Sequence, residues 1–151
     1  MAKWLMVTSE ESFNATLNHE ILGFYGSSHG NRLISKTSVG DLIVFYVTKK
    51  RIVKGLFEVT STPFLDDSPM YGDERDAQWN QRIRLKVIES EASYDFTVLR
   101  WDLDFIKDKG IAYSSYFAPT LVRLSDKDFN TITEAMEISP TRLTAEAKIA
   151  N

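Results

Sequence analysis

Gly40-Asp41-Leu42-Ile43-Val44-Phe45-Tyr46-Val47-Thr48, answered after a basic turn by Gly55-Leu56-Phe57-Glu58-Val59-Thr60, decides the fold. A strand exposes alternate residues on opposite faces. Leu42 to Val47 is apolar at every position, so neither face suits solvent and the run belongs in the middle of a sheet, covered on both sides. Gly40-Asp41 is a turn that opens it. Lys49 to Lys54 is a charged turn around Ile52 and Val53, and Gly55 to Thr60 is the return strand of a hairpin.

Working outward, Trp4-Leu5-Met6-Val7-Thr8 is a second short buried strand. Thr8 with Glu11 has the spacing of a capping box, and the helix after it would place Phe13, Leu17 and Ile21 on one stripe. Gly23, Gly26 and Gly30 then punctuate a loop that carries Phe24, Tyr25, His29 and Asn31. Residues 61 to 81 form a long polar connection, a length that is uncommon in a compact domain and often functional. Arg82-Ile83-Arg84-Leu85-Lys86-Val87 alternates strictly: Ile83, Leu85 and Val87 face the core, and the three cations share the other face. Asp95 caps a helix that sends Leu99, Leu103 and Ile106 inward. Leu121 to Leu124 is a last strand, and Ser125 starts a final helix with Phe129, Ile132 and Met136 inward. Five or six strands with separate helices predict an α+β domain, its mostly antiparallel sheet curled towards a barrel. The domain is expected to span residues 1–138. Residues 139–151 are polar and rich in Ala and Thr, either a loose tail or a helix that needs a partner.

Composition narrows the chemistry. At 151 residues, 43% hydrophobic and 26% charged, the chain has ordinary globular usage and enough length for one self-sufficient core. It has no cysteine, which excludes disulfides, thiolate metal sites and a cysteine nucleophile, and which fits a reducing compartment. No apolar run approaches the roughly 20 residues of a membrane helix, and Met1-Ala2-Lys3-Trp4 has no leader layout, so no membrane and a cytoplasmic location are expected. The net charge of −3 is opposite in sign to a broad electrostatic grip on nucleic acid; any such binding needs a local basic patch.

Two histidines, His19 and His29, have no partners at metal-ligand spacing, and the acidic cluster at residues 66–76 lacks the alternating oxygens of a calcium loop, so no metal or other cofactor is expected. No nucleophile elbow, phosphate loop or dinucleotide fingerprint occurs. Tyr25, Tyr71 and Trp79 lie in polar loops, where an aromatic ring either anchors the loop or stacks on a base. Lys49, Lys50, Arg51 and Lys54 at the hairpin tip, with Arg82 and Arg84 on the alternating strand, either keep the sheet soluble or track phosphates.

The ordered set Trp4–Glu10, Ile21–Phe24, His29–Arg32, Gly40–Val47, Gly55–Val59, Asp66–Tyr71 and Arg82–Leu85 resembles the EVE domain, and more distantly the YTH domain, both in the PUA-like superfamily. The resemblance covers Trp4 to about Met136. It implies a PUA-like curled sheet flanked by helices, and a binding module that holds a modified nucleobase of DNA or RNA in a flipped-base pocket rather than an enzyme. Carried residue by residue, it places Ser9 with Thr8 in the first strand-to-helix turn. The family's pocket tryptophan falls on Leu22, a departure, with Tyr25 near enough to supply the missing face. Asn31 and Arg32 take the following loop's polar contacts, and Tyr71 or Trp79 is the lid aromatic. Arg82, Arg84 and the tip residues Lys49, Lys50 and Arg51 would hold flanking phosphates. The alternative is a small amidohydrolase like the related ASCH domain, built on Lys54 or Lys86 with Glu58. The tail offers a possible homodimer contact.

Overall fold

The computed structural model describes residues 1–117 and 120–138, so the expected tail and any contact through it lie outside the described residues. The strands are β1 (Lys3–Thr8), β2 (Ile21–Phe24), β3 (Leu42–Val47), β4 (Ile52–Val59), β5 (Phe64–Leu65), β6 (Gln81–Asp95) and β7 (Leu121–Arg123). The helices are α1 (Glu10–His19), α2 (Ser28–Ile34), α3 (Arg75–Gln78), α4 (Phe96–Leu99) and α5 (Asp126–Ala135). One sheet runs in the order β2-β6-β4-β3-β1-β7, with β5 added against β6. It is mixed: β1 and β3 are parallel, and every other pairing is antiparallel. The parallel pair is possible because α1, β2 and α2 together form the long crossover that parallel neighbours require.

All six residues of β3 are buried, and they feed two different cores. Leu42, Val44 and Tyr46 pack with Leu5, Phe96, Leu103, Phe129 and Ile132 on one side. Ile43, Phe45 and Val47 pack with Trp4, Phe13, Leu22, Phe57 and Ile83 on the other. In the second core Phe13, Phe45 and Phe57 meet edge to face, at centroid separations of 5.4, 6.0 and 5.0 Å. The strand begins at Asp41, whose buried carboxylate accepts from Ala2 N, Ser38 N and Trp4 Nε1 at 2.8 to 3.0 Å and so fastens β1 to β3 at the start of their shared register.

The sheet curls where β4 and β6 slip register on both sides of Leu56. Gly55 sits there with φ 73°, a left-handed value that glycine adopts without steric cost; it is the extra residue against β3, while the surplus against β4 lies on β6, and these bulges bend the sheet. The 15-residue β6 can then pair with β4 along one part and with β2 along another, which closes a half-barrel.

The structure corrects several sequence expectations. Ser9, not Thr8, caps α1: its Oγ accepts from Ser12 N at 3.1 Å, and Glu11 pairs with Arg75 instead. α1 stops at His19 with Glu20 left-handed, so Ile21 starts β2 rather than ending a helical stripe. The glycine-punctuated loop contains β2 and the two-turn α2, capped by Ser27. The connection at 61–81 holds β5 and α3. Lys54 belongs to β4 and lies over the Phe13 ring rather than at the tip. Arg82 does not share a solvent face with Arg84: it is fully buried beneath the 66–80 segment, so it is not available to a phosphate. Asp95 does cap α4, but α4 is one turn, continued by a 3-10 turn at Arg100–Asp102, and Leu103 and Ile106 reach the core from irregular chain. Ser125 caps α5 as its sequence requires, and Phe129, Ile132 and Met136 are buried.

Candidate functional site

Between the end of β1, the start of α1 and the 66–80 segment lies a cavity of about 220 Å³. Thr8, Ser9, Leu22, Tyr71 and Trp79 all line it, brought together from four separated parts of the chain. Met6, Val7, Ser12, Thr16, Thr48 and Thr120 complete the wall. Thr8, Ser9, Ser12, Thr16, Thr48 and Thr120 bring hydroxyls, and no lining residue carries a formal charge. Tyr71 and Trp79 meet edge to face at 5.6 Å and 77°. Burial raises the Tyr71 phenol above its ordinary value, an effect that the Gly23 backbone hydrogen bond and the nearby Arg82 and Arg75 charges only partly offset, so the ring presents a neutral O–H.

Gly23 explains how the wall closes. A Cβ at this position would stand 2.7 Å from the Tyr71 hydroxyl and 3.0 Å from the Trp79 carbonyl oxygen. Only a residue without a side chain lets β2 approach the aromatic segment this closely.

The 66–80 segment has few apolar anchors, and it is held instead by buried charge. Asp76 accepts from Met70 N at 2.9 Å, Tyr71 N at 2.8 Å and Gly72 N at 3.0 Å. Arg82 reaches Asp76 at 3.4 Å and Asp66 at 3.6 Å, and donates to the Ser68 and Trp79 carbonyls. Burial alone would raise the Asp76 carboxyl. The three backbone N–H donors and the Arg82 charge outweigh it, and the group sits below the ordinary aspartate range. The buried Arg82–Asp76 pair therefore shapes the aromatic wall from behind. Sequence reasoning missed it because strict alternation marks a face but does not tell whether a loop covers that face.

A second chamber of about 160 Å³ adjoins the first and shares Met6, Trp79 and Thr120 with it. Tyr25, half-exposed, and His29 stand at this chamber, with Gly23, Phe24, Gly30 and Leu33 behind. Asn31 and Arg32 are exposed on α2, and neither lines these two chambers. Lys49, Lys50, Arg51 and Arg84 are exposed. Lys50 pairs with Glu10 at 2.7 Å, and Arg84 lies over Phe64. The basic hairpin tip follows directly on Thr48, a wall residue. Lys54, Lys86 and Glu58 line neither chamber; Glu58 and Lys86 face each other across β4 and β6. Among the described residues, no helix is long and apolar enough to cross a membrane.

A curled mixed sheet with helices on both sides and a cavity at its first strand-to-helix turn defines a PUA-like half-barrel. The chain belongs to the EVE domain family, which it matches over residues 2–135. It is similar to the UPF0310 protein PH1033 of Pyrococcus horikoshii, with 27% identity over 143 residues, 87% of this chain and 97% of that protein. Its fold is similar to that of a hypothetical protein from Leishmania major, with TM-score 0.64 and 15% identity over 91% of this chain and 95% of the other. It is also similar to the YTH domain of the Zygosaccharomyces rouxii MRB1 protein in complex with N6-methyladenosine RNA, with TM-score 0.62 and 12% identity over 91% of this chain and 85% of that one.

Proposed function

We propose that this domain is a nucleic-acid-binding module that reads a modified base, turned out of its strand into the cavity between Ser9 and Tyr71. The observation that carries this reading is the character of that wall: six hydroxyl side chains and two edge-to-face aromatic rings, with no charged group. A nucleobase is flat and neutral, with donors and acceptors on its edge, and such a wall matches it. At about 220 Å³ the cavity is smaller than the roughly 300 Å³ at which pockets for drug-sized ligands begin, which suits a single base. The wall holds no carboxylate, histidine or lysine to act as general base, so binding fits it better than catalysis. The amidohydrolase alternative needs Lys54 or Lys86 with Glu58, and those residues stand away from both chambers.

In this reading the angled Tyr71 and Trp79 rings give the base an apolar wall, Thr8 and Ser9 meet its edge, and the chamber behind Trp79 takes an added substituent against Phe24 and Leu33. Lys49, Lys50 and Arg51 hold the neighbouring phosphates, so affinity falls with salt although the whole protein is acidic. The likeness to a YTH domain bound to N6-methyladenosine RNA supports the class of partner.

Trp79 fluorescence tests it, best in a Trp101→Phe background that removes the exposed indole. Short single strands with one modified base should bind about 5-fold to 150-fold more tightly than plain strands, as expected for a methyl read by packing at ~1–3 kcal/mol. Equal, negligible binding of a panel of modified and plain DNA and RNA strands would refute the proposal.

A further inference from the structure

The other core has a cavity of its own. About 330 Å³ in volume, it is lined by Tyr46, Arg51, Thr97, Arg100, Tyr113 and Ser114. Its chemistry is the reverse of the first: two guanidinium groups and four hydroxyls, with no acidic residue in the wall.

Arg100 is fixed in place. Its Nε donates to the Lys109 carbonyl at 2.7 Å and Nη1 to the Thr97 carbonyl, and the guanidinium lies over both the Trp101 and the Tyr113 rings. Arg51 comes from the hairpin tip, which is tied to α4 by the Phe96 N–H donating to the Arg51 carbonyl at 2.9 Å. Among the described residues neither arginine has a carboxylate within ion-pair distance. The nearby Asp95 is engaged by the Thr97 N–H and hydroxyl at 2.8 and 2.6 Å. Tyr46 and Tyr113 are both buried and hydrogen-bonded to each other. Burial, then the bond to Tyr113, keeps the Tyr46 phenol protonated far above the ordinary range.

Two cations with no carboxylate within ion-pair distance, in an acidic protein, converge with hydroxyl donors on one half-open cavity. We propose that this cavity is a phosphate-binding site, distinct from the base-binding cavity and sharing only Arg51 with that reading. Guanidinium groups match the paired oxygens of phosphate, and the hydroxyls of Ser114 and Tyr113 complete the donor set. The space exceeds a bare phosphate and admits the sugar attached to one. The phosphate belongs either to a nucleic-acid strand passing over the hairpin tip or to a free phosphorylated metabolite.

The full chain is titrated with inorganic phosphate at constant ionic strength and followed by amide NMR; adenosine 5′-monophosphate and adenosine are compared in parallel. Saturable shifts are expected at Thr97, Arg100, Tyr113 and Ser114, with the monophosphate binding and adenosine not. Arg51→Gln, at an exposed tip, should weaken phosphate binding about tenfold, the loss of one charge-assisted contact. Ser114→Ala should weaken it severalfold, and Arg123→Gln, which removes the same charge elsewhere, should leave it unchanged. A plain oligonucleotide that displaces phosphate, with a salt slope reduced by about one in Arg51→Gln, assigns the site to a strand. Failure of the oligonucleotide to displace it assigns the site to a small molecule. Absence of saturation at tens of millimolar phosphate, or equal loss in Arg51→Gln and Arg123→Gln, overturns the proposal. Equal binding of modified and plain strands would sink the base reader alone and leave this site standing.

Discussion

Asp76→Asn should unfold the aromatic wall before it unfolds the domain. Asp76 Oδ1 accepts from Met70 N and Tyr71 N, and Oδ2 accepts from Gly72 N. Asparagine keeps one acceptor oxygen but turns the other into a donor that faces the Gly72 N–H. One charge-assisted bond is lost, worth about 1.5–3 kcal/mol. Arg82, with a side chain only 1% exposed, is left with Asp66 at 3.6 Å as its remaining counter-charge. Removing one member of a buried pair costs about 3–5 kcal/mol when nothing replaces it. Asp66 softens that, so about 3 kcal/mol is expected. With a urea slope of roughly 1–3 kcal/mol per molar, the midpoint should fall by at least about 1 M. The assay is urea unfolding with amide exchange at Met70, Tyr71 and Gly72, whose protection should drop first. The same change should cost much less in an Arg82→Met background, where no buried cation is stranded. A loss below about 1 kcal/mol, or an equal loss in both backgrounds, would show that the pair does not hold the segment.

Gly23→Ala places a methyl 2.7 Å from the Tyr71 hydroxyl and should cost about 1–3 kcal/mol while lowering affinity for a modified strand, both measurable on the same sample by melting and Trp79 titration. Acid should loosen the wall in a defined direction: the folded Asp76 pKa is depressed, so its contribution is complete above the unfolded value of about 3.9 and is lost as pH falls through the lower folded value. Exchange at residues 70–72 should therefore rise below about pH 4 in the native chain and show little further response in Asp76→Asn. Ser9→Ala removes the α1 cap and should cost about 1 kcal/mol, read by thermal unfolding, with a further loss of strand binding if the hydroxyl also meets the base.

The sheet was legible where one physical rule acted alone. Leu42 to Val47 has no polar residue, and nothing but a doubly covered central strand accommodates it, as the two cores show. The last helix was equally clear, because Ser125 and the spacing of Phe129, Ile132 and Met136 agree. Legibility failed where long-range contacts competed with local signals. Thr8 and Ser9 are both good caps, and the end of β1 decides between them, since Thr8 is still paired to Val47. Arg82 sits in a perfect alternation with Arg84 and Lys86, yet Asp66 and Asp76, 16 and 6 residues earlier, fold back and bury it. For the cavity, the first-turn hydroxyls and the two loop aromatics share one wall, whereas Asn31 stays out of it because α2 carries it outward. The cavity around Arg100 and Tyr113 left no trace in the sequence, because its parts lie on a strand, a hairpin tip and three short helical elements.

One strand buried on both faces has a consequence for binding. Because β3 divides the interior, each side of the sheet must close its own core, and each core leaves a cavity near the end of β3: Thr48 lines one, Tyr46 the other. The two walls have opposite character. The first is neutral, the second cationic and rich in hydroxyls, and the basic hairpin tip follows Thr48 of the first and gives Arg51 to the second. An acidic protein cannot hold a polyanion by its overall field, so attraction must be concentrated where the ligand is to lie. Under the proposed reading, Lys49 and Lys50, which follow Thr48, would supply phosphate attraction while the uncharged wall selects the base. Salt should then weaken binding of marked and plain strands alike, while the ratio between them stays constant. A ratio that collapses with salt would mean that the discrimination is electrostatic, and the division of labour between the two cavities would be wrong.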